Sequence, residues 1–153
     1  MKKKFFINNP KVYFIAEIGI NHNGDVKNAL KLIEEAKSAG CDAVKFQKKF
    51  PRISTPKQVW NNPKDTPWGK MTYIEYKEKM EFNKNQYKKI IKFCNKIKID
   101  WSASCWDVKS VDFMESLKIP YYKVASASIT DLVLLKRIKK TKKPVIISTG
   151  MST

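Results

Sequence analysis

Two lysines occupy positions where a folded protein usually places apolar side chains. Lys45 lies in Ala43-Val-Lys-Phe-Gln47, and Lys123 lies in Tyr121-Tyr-Lys-Val-Ala125; both runs are typical of buried strands. A lysine is seldom buried unless an anion pairs with its ammonium group. Two such lysines with nearby hydroxyl groups would bind a small, doubly charged anion, such as a phosphate beside a carboxylate. The hydroxyl groups belong to Ser104, Ser126 and Ser148.

Two other interpretations of these lysines remain open from the pattern alone. Their aliphatic stems could lie along the sheet while the ammonium groups reach solvent. Alternatively, one of the lysines could form a Schiff base with a carbonyl substrate, as in class I aldolases.

Glu17 is a carboxylate inside the apolar run Ile15-Ala-Glu-Ile-Gly-Ile20. A buried carboxylate costs free energy unless it is paired or used. Glu17 could act as a general acid or base, could accept hydrogen bonds from substrate hydroxyls, or could form an ion pair with Lys45 on the neighbouring strand. His22 is the single histidine, and a lone histidine in a turn is more typical of a structural hydrogen bond than of a metal ligand. We expect Asp107 to cap a helix rather than to catalyse.

These residues lie in or just after apolar segments that alternate with helical ones. The spacing predicts strands over residues 12–20, 43–47, 101–106, 121–125 and 144–150. Helices follow four of these strands, with N-caps predicted at Asp25, at Asn83 or Asn85, at Asp107, and at Thr130 or Asp131. Gly40 is predicted to end the first helix.

Alternating strands and helices predict an α/β fold with a parallel sheet and right-handed crossovers. A doubly wound nucleotide-binding sheet should carry Gly-x-Gly-x-x-Gly in its first turn, and the Gly19-Ile-Asn-His-Asn-Gly24 turn lacks that spacing. Polar residues at every strand end favour a (β/α)₈ TIM barrel, whose active sites are built there. Because a complete barrel needs about 250 residues, we expect residues 1–153 to be the N-terminal portion of one barrel domain, truncated to about five strands and four helices.

Residues 49–81 interrupt this alternation with prolines, two tryptophans and a Trp68-Gly69 turn. Thr72-x-x-Glu75 is typical of a capping box that begins a short helix. A connection of this length is usually functional. We therefore predict a lid-like insertion over the open end of the barrel, organised by Trp60, Trp68 and the helix at Thr72.

The chain carries a net charge of +17, and all but Arg52 and Arg137 of its 31 basic residues are lysines. Proteins that read nucleic acids favour arginine for its planar, bidentate guanidinium. We therefore interpret the lysine surplus as a solvated outer surface and expect no nucleic-acid partner. The charge would still favour an anionic substrate.

The three cysteines lie in apolar contexts without Cys-x-x-Cys spacing, which favours reduced core thiols. The basic and apolar residues 1–7 resemble the start of a signal peptide, but Asn8-Asn9-Pro10 ends the run early. No segment approaches the roughly 20 apolar residues that span a bilayer. We expect a cytoplasmic protein without a membrane partner.

A set of motifs, in matching order and spacing over nearly the whole chain, strongly resembles the bacterial N-acetylneuraminate (sialic acid) synthase family. The motifs are Phe14-Ile-Ala-Glu-Ile-Gly-Ile-Asn-His-Asn-Gly-Asp25, Ala43-Val-Lys-Phe-Gln47, Trp68-Gly69, Tyr76-Lys77, Glu81-Phe82, Ala103-Ser-Cys-Trp-Asp107, Lys123-Val-Ala-Ser126 and Ser148-Thr-Gly-Met151. The resemblance implies a (β/α)₈ barrel that condenses phosphoenolpyruvate with an N-acetylated hexosamine such as N-acetylmannosamine. The products would be phosphate and a nine-carbon 2-keto acid sugar.

The resemblance also implies roles for individual residues. Glu17 would lie near the sugar and the reacting carbons. The phosphate and carboxylate of phosphoenolpyruvate would be bound by Lys45, Lys123, Ser104, Ser126 and Ser148, and Gln47 is counted among the substrate-binding residues. A divalent metal, Mn²⁺ or Mg²⁺, would polarise the sugar aldehyde. Its two histidine ligands belong to later strands of the family barrel, so we expect no metal ligands in this chain. The resemblance also favours a homodimer of the full-length parent.

Other functions remain open at the level of sequence. A synthase for legionaminic or pseudaminic acid would carry the same motifs. A basic nucleic-acid-binding domain or a non-catalytic remnant would belong to different functional classes. We expect the 153 residues to be inactive alone.

Overall fold

The computed structural model of the chain describes residues 12–150 and 152. In chain order the elements are β1 (Ile15–Gly19), α1 (Val26–Ser38), β2 (Ala43–Lys48), α2 (Pro51–Ser54), β3 (Pro63–Thr66), β4 (Gly69–Thr72), α3 (Tyr73–Lys79), α4 (Lys84–Ile97), β5 (Asp100–Cys105), α5 (Val108–Glu115), β6 (Tyr122–Val124), α6 (Leu132–Lys140) and β7 (Val145–Ile147). Two short 3₁₀ turns cover Lys57–Val59 and Ser126–Ser128. The residues resembling a signal peptide, 1–7, lie outside the described residues.

The main sheet contains five strands in the order β1-β2-β5-β6-β7, and every neighbouring pair is parallel. The predicted strands and their connecting helices are therefore confirmed, although β1 and β7 are shorter than the apolar runs that predicted them. The antiparallel β3–β4 hairpin and α2 lie in residues 49–81 and were not predicted.

The helix ends follow the predicted capping chemistry. The side chains of Asp25, Asn83, Asp107 and Asp131 each accept a hydrogen bond from a backbone N–H in the first turn of the following helix. These bonds satisfy donors that have no partner within the helix. Gly40 follows α1 with a φ of +84°, a left-handed conformation that glycine adopts without a Cβ penalty.

All four crossover helices pack on the same face of the sheet. One hydrophobic core joins buried side chains of α1, α4, α5 and α6 to those on one side of the strands, such as Val44, Phe46 and Val124. Because successive strand residues alternate between faces, Lys45, Gln47 and Lys123 belong to the opposite face. A doubly wound sheet carries helices on both faces, whereas a (β/α)₈ barrel carries them only outside. The one-sided packing therefore supports the barrel architecture.

The outer strands of the sheet carry accessible apolar side chains. Val12 and Phe14 precede β1 and are 74% and 60% exposed, while Ile147 of β7 is 51% exposed. The interior strands are covered, since Val44, Phe46 and Ala103 are fully buried. The core thus lies between the middle of the sheet and the four helices.

The cysteines are free thiols, with Cys94 and Cys105 buried and Cys41 partly buried. Burial raises the pKa of Cys94 to about 12, so this thiol stays protonated and unreactive at neutral pH. The structured part of the chain contains no helix that is both long and apolar enough to cross a bilayer.

Candidate active site at the carboxyl ends of the strands

The strand register brings most of the predicted site residues into two adjacent rows on the helix-free face. In the first row, Glu17 of β1 lies beside Lys45 of β2, which lies beside Ser102 of β5. In the second row, two residues further along β2, Gln47 lies beside Ser104, and Ser104 lies beside Lys123 of β6. Parallel pairing places all the carboxyl ends at one edge of the sheet, so residues far apart in sequence share one site.

Lys45 is the best-buried charge of this site, with 7% of its surface exposed. Its ammonium group forms an ion pair with the Glu17 carboxylate and donates a hydrogen bond to Ser104 Oγ at 3.2 Å. The interpretation of Glu17 as an ion-pair partner of Lys45 is therefore the arrangement observed. The expectation that Glu17 is buried is wrong, because its side chain is 52% exposed on an outer strand of the described sheet.

Lys123 belongs to the same charge cluster. Its pKa is lowered from the ordinary lysine value, first by burial and then by the positive charge of Lys45, and the Glu17 carboxylate opposes this shift. Charges that influence one another in this way lie near each other. The two ammonium groups and one carboxylate leave a net positive site, which favours an anion.

Gln47 extends the cluster toward β1. A Cβ atom added at Gly19 would lie 3.6 Å from Gln47 Nε2 and 3.6 Å from Glu17 Oε1. The amide and the carboxylate therefore approach the same stretch of β1 backbone. Gly19 has a φ of +56° there, beside a break in the β1–β2 register.

Ser126 and Ser148 lie just beyond the carboxyl ends of β6 and β7. Ser126 begins a 3₁₀ turn, and the Ser148 N–H donates to the Val124 carbonyl at 3.1 Å. A Cβ atom at Gly150 would lie 3.8 Å from Ser126 Cβ, so the chain after β7 returns toward Ser126. Of the predicted hydroxyl groups, Ser104 alone has a hydrogen bond to a lysine of the cluster within the described residues.

His22 is held in the turn after β1 as a structural residue. Its Nδ1 accepts a hydrogen bond from the Gly24 N–H at 3.0 Å, and its ring stacks on Phe82 with centroids 4.1 Å apart. Burial lowers the pKa of His22 to about 4, against a weaker opposing hydrogen bond with the Gly19 backbone. The imidazole is therefore neutral at pH 7, and its Nδ1 is engaged within the turn.

A divalent metal does not fit the residues that the structure describes. No group of three or more histidine, cysteine, aspartate or glutamate side chains converges among them. Nδ1 of His22, the single histidine of the chain, already accepts a hydrogen bond from the Gly24 N–H. No step of the chemistry proposed below is therefore routed through a metal.

Sequence reasoning did not identify the ion pair that joins the two ends of residues 49–81. Lys48 is 4% exposed, and its ammonium lies 2.7 Å from Glu81 Oε2 and 3.2 Å from the Phe82 carbonyl. Phe50 and Phe113 flank it, with ring centroids 5.0 and 4.9 Å away. The alternation of side chains along a strand could have predicted its burial, since Lys48 falls on the same side of β2 as Val44 and Phe46.

Asp107 caps α5, as predicted, and also positions the start of residues 49–81. Its Oδ1 accepts from the Ser110 N–H at 2.7 Å, and its Oδ2 accepts from the Phe50 N–H at 2.8 Å. Gly24 contacts the end of α3, because a Cβ atom at this position would overlap the Lys79 carbonyl oxygen. The segment is thus attached to residues at or just after the carboxyl ends of β1, β2 and β5.

The one-sided parallel sheet with polar residues at its carboxyl edge is part of a (β/α)₈ barrel, and the structural neighbours of the chain are barrel synthases. The NeuB family model matches residues 32–153. The chain therefore belongs to the NeuB family.

Curated relatives and solved structures agree with this assignment. The N-acetylneuraminate-9-phosphate synthase of Drosophila melanogaster is 43% identical over 147 residues, which cover 93% of this chain and 38% of the relative. The N,N'-diacetyllegionaminic acid synthase of Campylobacter jejuni is 37% identical over 144 residues, covering 93% of this chain and 43% of the relative. The N-acetylneuraminic acid synthetase of Leptospira borgpetersenii, solved in complex with citrate, matches 95% of this chain and 47% of its own with a TM-score of 0.79 and 28% identity. The chain thus spans about two fifths of the length of these curated relatives.

Proposed function

We propose that the protein to which this chain belongs condenses phosphoenolpyruvate with an N-acetylated hexosamine, such as N-acetylmannosamine, to give a nine-carbon 2-keto acid sugar and phosphate. The observation that carries the proposal is the Lys45–Lys123 pair on the helix-free face of the sheet, joined by Ser104. Membership of the NeuB family and the names of its relatives support the same reaction class.

The lysine pair provides the positive charge that phosphoenolpyruvate requires. Its phosphate and carboxylate are separate anionic groups on one small molecule, so a site with two ammonium groups and several hydroxyls is complementary to it. Lys45 and Lys123 bind the two anionic groups in this proposal. Hydrogen bonds come from Ser104, Ser126 and Ser148, and Gln47 is added as an amide donor to the substrates. A Schiff base is not needed, because the enol ester itself supplies the nucleophilic carbon.

Glu17 is the residue proposed to act on the reacting atoms. Carbon 3 of phosphoenolpyruvate forms the new bond to the aldehyde carbon, water adds to carbon 2, and phosphate leaves. The attacking water loses both protons in the course of the reaction: one goes to the aldehyde oxygen, and the other leaves with the phosphate as the ketone forms at carbon 2. A carboxylate in contact with Lys45 and half exposed to the site is suited to hold or transfer such a proton.

Residues 49–81 are proposed to form a lid over this site. The segment is attached at or just after the carboxyl ends of three strands, through Asp107, the Lys48–Glu81 ion pair and the Gly24 contact. A cover in this position would exclude water from the reacting carbons. Trp60 stabilises it internally, since its Nε1–H donates to the Thr55 carbonyl at 2.9 Å.

The proposal is tested with the complete product of the gene that encodes this chain. Phosphate release is measured with phosphoenolpyruvate, N-acetylmannosamine and Mn²⁺, and each component is omitted in turn. We expect release only when both substrates are present. Lys123→Ala should lose at least about 100-fold in turnover, because the bound dianion loses a direct counter-charge.

Lys136→Ala is the matched control, because Lys136 is exposed on α6, the helix that follows the Lys123 strand. It should retain wild-type turnover. Near-normal consumption of phosphoenolpyruvate by Lys123→Ala would contradict the assignment of the lysine pair.

The acceptor sugar is left open among related N-acetylated compounds. The relatives include N,N'-diacetyllegionaminic acid synthases and a pseudaminic acid synthase from Helicobacter pylori, 30% identical over 151 residues. A panel of N-acetylated and di-N-acetylated hexoses, assayed by the same phosphate release, would separate these alternatives by their relative kcat/KM.

A further inference from the structure

The carboxyl end of β1 is irregular just after Glu17. Glu17 lies beside Lys45 in the β1–β2 register, and the next pair is Gly19 with Phe46. Ile18 is therefore an extra residue on β1, which makes this position a bulge. Bulges redirect the side chains around them and are common beside active sites. Gly19 has a φ of +56°, a conformation that a residue without a Cβ atom tolerates best.

Three overlapping turns then fold residues 18–25 back on themselves. The backbone N–H groups of Asn21, Asn23 and Asp25 each donate to the carbonyl three residues earlier, at 3.0, 3.1 and 3.0 Å. This path directs the side chain of His22 inward, where the residue is 2% exposed. The hydrogen bond that His22 Nδ1 accepts from within the turn holds the imidazole in this position. The turn after β1 is thus fixed around a buried ring.

Phe82, the residue that follows the lid-like segment, packs against this ring. The His22 and Phe82 rings are stacked, with centroids 4.1 Å apart and planes inclined by 26°. Phe82 also meets Tyr87 edge-on, with centroids 5.9 Å apart. The Tyr87 hydroxyl donates to the Gln47 carbonyl at 3.2 Å. One aromatic cluster therefore joins the end of the segment to the turn after β1 and to the end of β2.

Two further contacts hold the same end of the proposed lid. Gly24 lies against the last turn of α3, where a Cβ atom would overlap the Lys79 carbonyl oxygen, and the Lys48–Glu81 ion pair lies beside it in sequence. In contrast, the Glu17 side chain is half exposed on an outer strand, so burial does not hold its carboxylate in place. Its position depends on its ion pair and on the strand end that the turn fixes.

We propose that His22 is a positioning residue for the condensation, because it links the seating of the lid to the placement of Glu17. The inference rests on the proposed function. When residues 49–81 cover the site, Phe82 packs on the imidazole and the turn after β1 is held. When the segment lifts, the imidazole loses this stacking partner and the turn is released together with the bulge at Gly19. Closure of a lid can complete a catalytic arrangement in this way. His22 does not contact the substrates in this role.

Two variants separate the two contacts of the imidazole. His22→Asn keeps an acceptor oxygen near the position of Nδ1 but removes the stacked ring, whereas His22→Phe keeps a ring and removes the acceptor. Turnover of the complete gene product is measured with phosphoenolpyruvate, N-acetylmannosamine and Mn²⁺. It is expressed per phosphoenolpyruvate-binding site counted by calorimetry, so that unfolded protein does not lower it.

We expect the stacked ring to be the contact that matters for turnover. His22→Asn and Phe82→Leu should each lose about 10- to 100-fold in kcat per site, as expected for a misplaced reacting group. The KM for phosphoenolpyruvate should change less than about threefold, because the lysines proposed to bind it are intact. His22→Phe should retain most of the wild-type kcat per site.

Phe93→Leu provides the control, since it removes a partly buried ring from the edge of the core on α4. It should lower the urea midpoint but keep wild-type kcat per site. Wild-type kcat per site in His22→Asn and Phe82→Leu, or an equal loss in Phe93→Leu, would overturn the inference. Absence of phosphate release by the wild-type protein with both substrates would instead overturn the proposed function.

Amide hydrogen exchange tests the link between lid and turn without any catalytic readout. If the stack holds the turn, then Phe82→Leu should speed exchange of the amides of residues 19–24 at least about tenfold, because local opening of the turn becomes easier. Phe93→Leu should leave these amides at the wild-type rate. Unchanged exchange of residues 19–24 in Phe82→Leu would overturn the inference even if the proposed condensation is confirmed.

Discussion

Single residues of this chain differ in function according to which face of a strand they occupy. Lys45 and Lys48 are both buried and both paired with a glutamate. Lys45 is on the helix-free face beside Ser104, whereas Lys48 lies between aromatic rings at the base of residues 49–81. Three residues of sequence therefore separate a proposed substrate-binding lysine from a structural one.

His22 should make stability depend on pH. Its pKa is about 4 in the folded chain, below the ordinary histidine value of 6.5, so the unfolded chain binds more protons between those values. The contribution of the neutral imidazole is complete above pH 6.5 and is lost as the pH falls toward 4, by roughly 2–3 kcal/mol. Urea unfolding at pH 7 and pH 4.5 would measure this loss.

The matched variant for this experiment is His22→Gln, which keeps a polar side chain but does not titrate. We expect the variant to be less stable than wild type at pH 7, because it loses the stacking on Phe82. Its stability should nevertheless change less between pH 7 and pH 4.5. Identical pH dependence in the two proteins would show that His22 does not titrate in this window.

At the scale of elements, residues 49–81 form a structured unit rather than an irregular loop. The hairpin β3–β4 leads into α3, where Thr72 and Glu75 complete the predicted capping box. Arg52 of α2 donates to both carboxylate oxygens of Glu78 on α3, at 2.6 and 3.1 Å. The Lys48–Glu81 ion pair then joins the two ends of the unit.

Breaking that ion pair should destabilise the protein strongly. Glu81→Gln would leave the Lys48 ammonium buried without a counter-charge, and we expect a loss of about 3 kcal/mol in the free energy of unfolding. The measurement is the urea midpoint at pH 7. Turnover should also fall, because the proposed lid would lose its anchor at the end of β2.

Glu78→Gln makes the same chemical change in an exposed pair. The side chains of Arg52 and Glu78 are 57% and 40% exposed, so its removal should cost at most about 0.5 kcal/mol. Equal losses from Glu81→Gln and Glu78→Gln would contradict the assigned importance of the buried ion pair.

At the scale of the whole molecule, the charge of +17 is divided between a functional face and an outer surface. Lys45 and Lys123 face the proposed active site, while Lys88, Lys89 and Lys92 are exposed on α4. The outer lysines would give weak, nonspecific attraction to nucleic acid. The expected absence of a nucleic-acid partner, the cytoplasmic location and the homodimer stay predictions.

Duplex binding provides the test of the nucleic-acid alternative. We expect any affinity of the gene product for labelled duplex DNA to disappear as salt rises from about 50 to about 200 mM. Lys123→Ala should leave that weak binding unchanged, because Lys123 lies on the helix-free face of the sheet. Retention of submicromolar binding at the higher salt would favour a nucleic-acid function over the proposed synthase.

The sequence alone determined the features that depend on residues only a few positions apart in the chain. Helix caps at Asp25 and Asp107 and the capping box at Thr72 follow from local hydrogen bonding. The spacing of apolar residues predicted the parallel strands and the crossover helices. The two lysines within predicted strands indicated the position of the candidate site. The family resemblance was likewise contained in local motifs.

The tertiary structure alone decided which distant residues meet. The pairing of Glu17 with Lys45, the attachment of Phe50 to Asp107 and the ion pair of Lys48 with Glu81 join residues from different elements. Such contacts depend on strand register and on the docking of residues 49–81, which local propensity does not specify. The exposure of Glu17 has the same origin, because burial depends on which elements cover a strand and not on the apolar run that contains the residue.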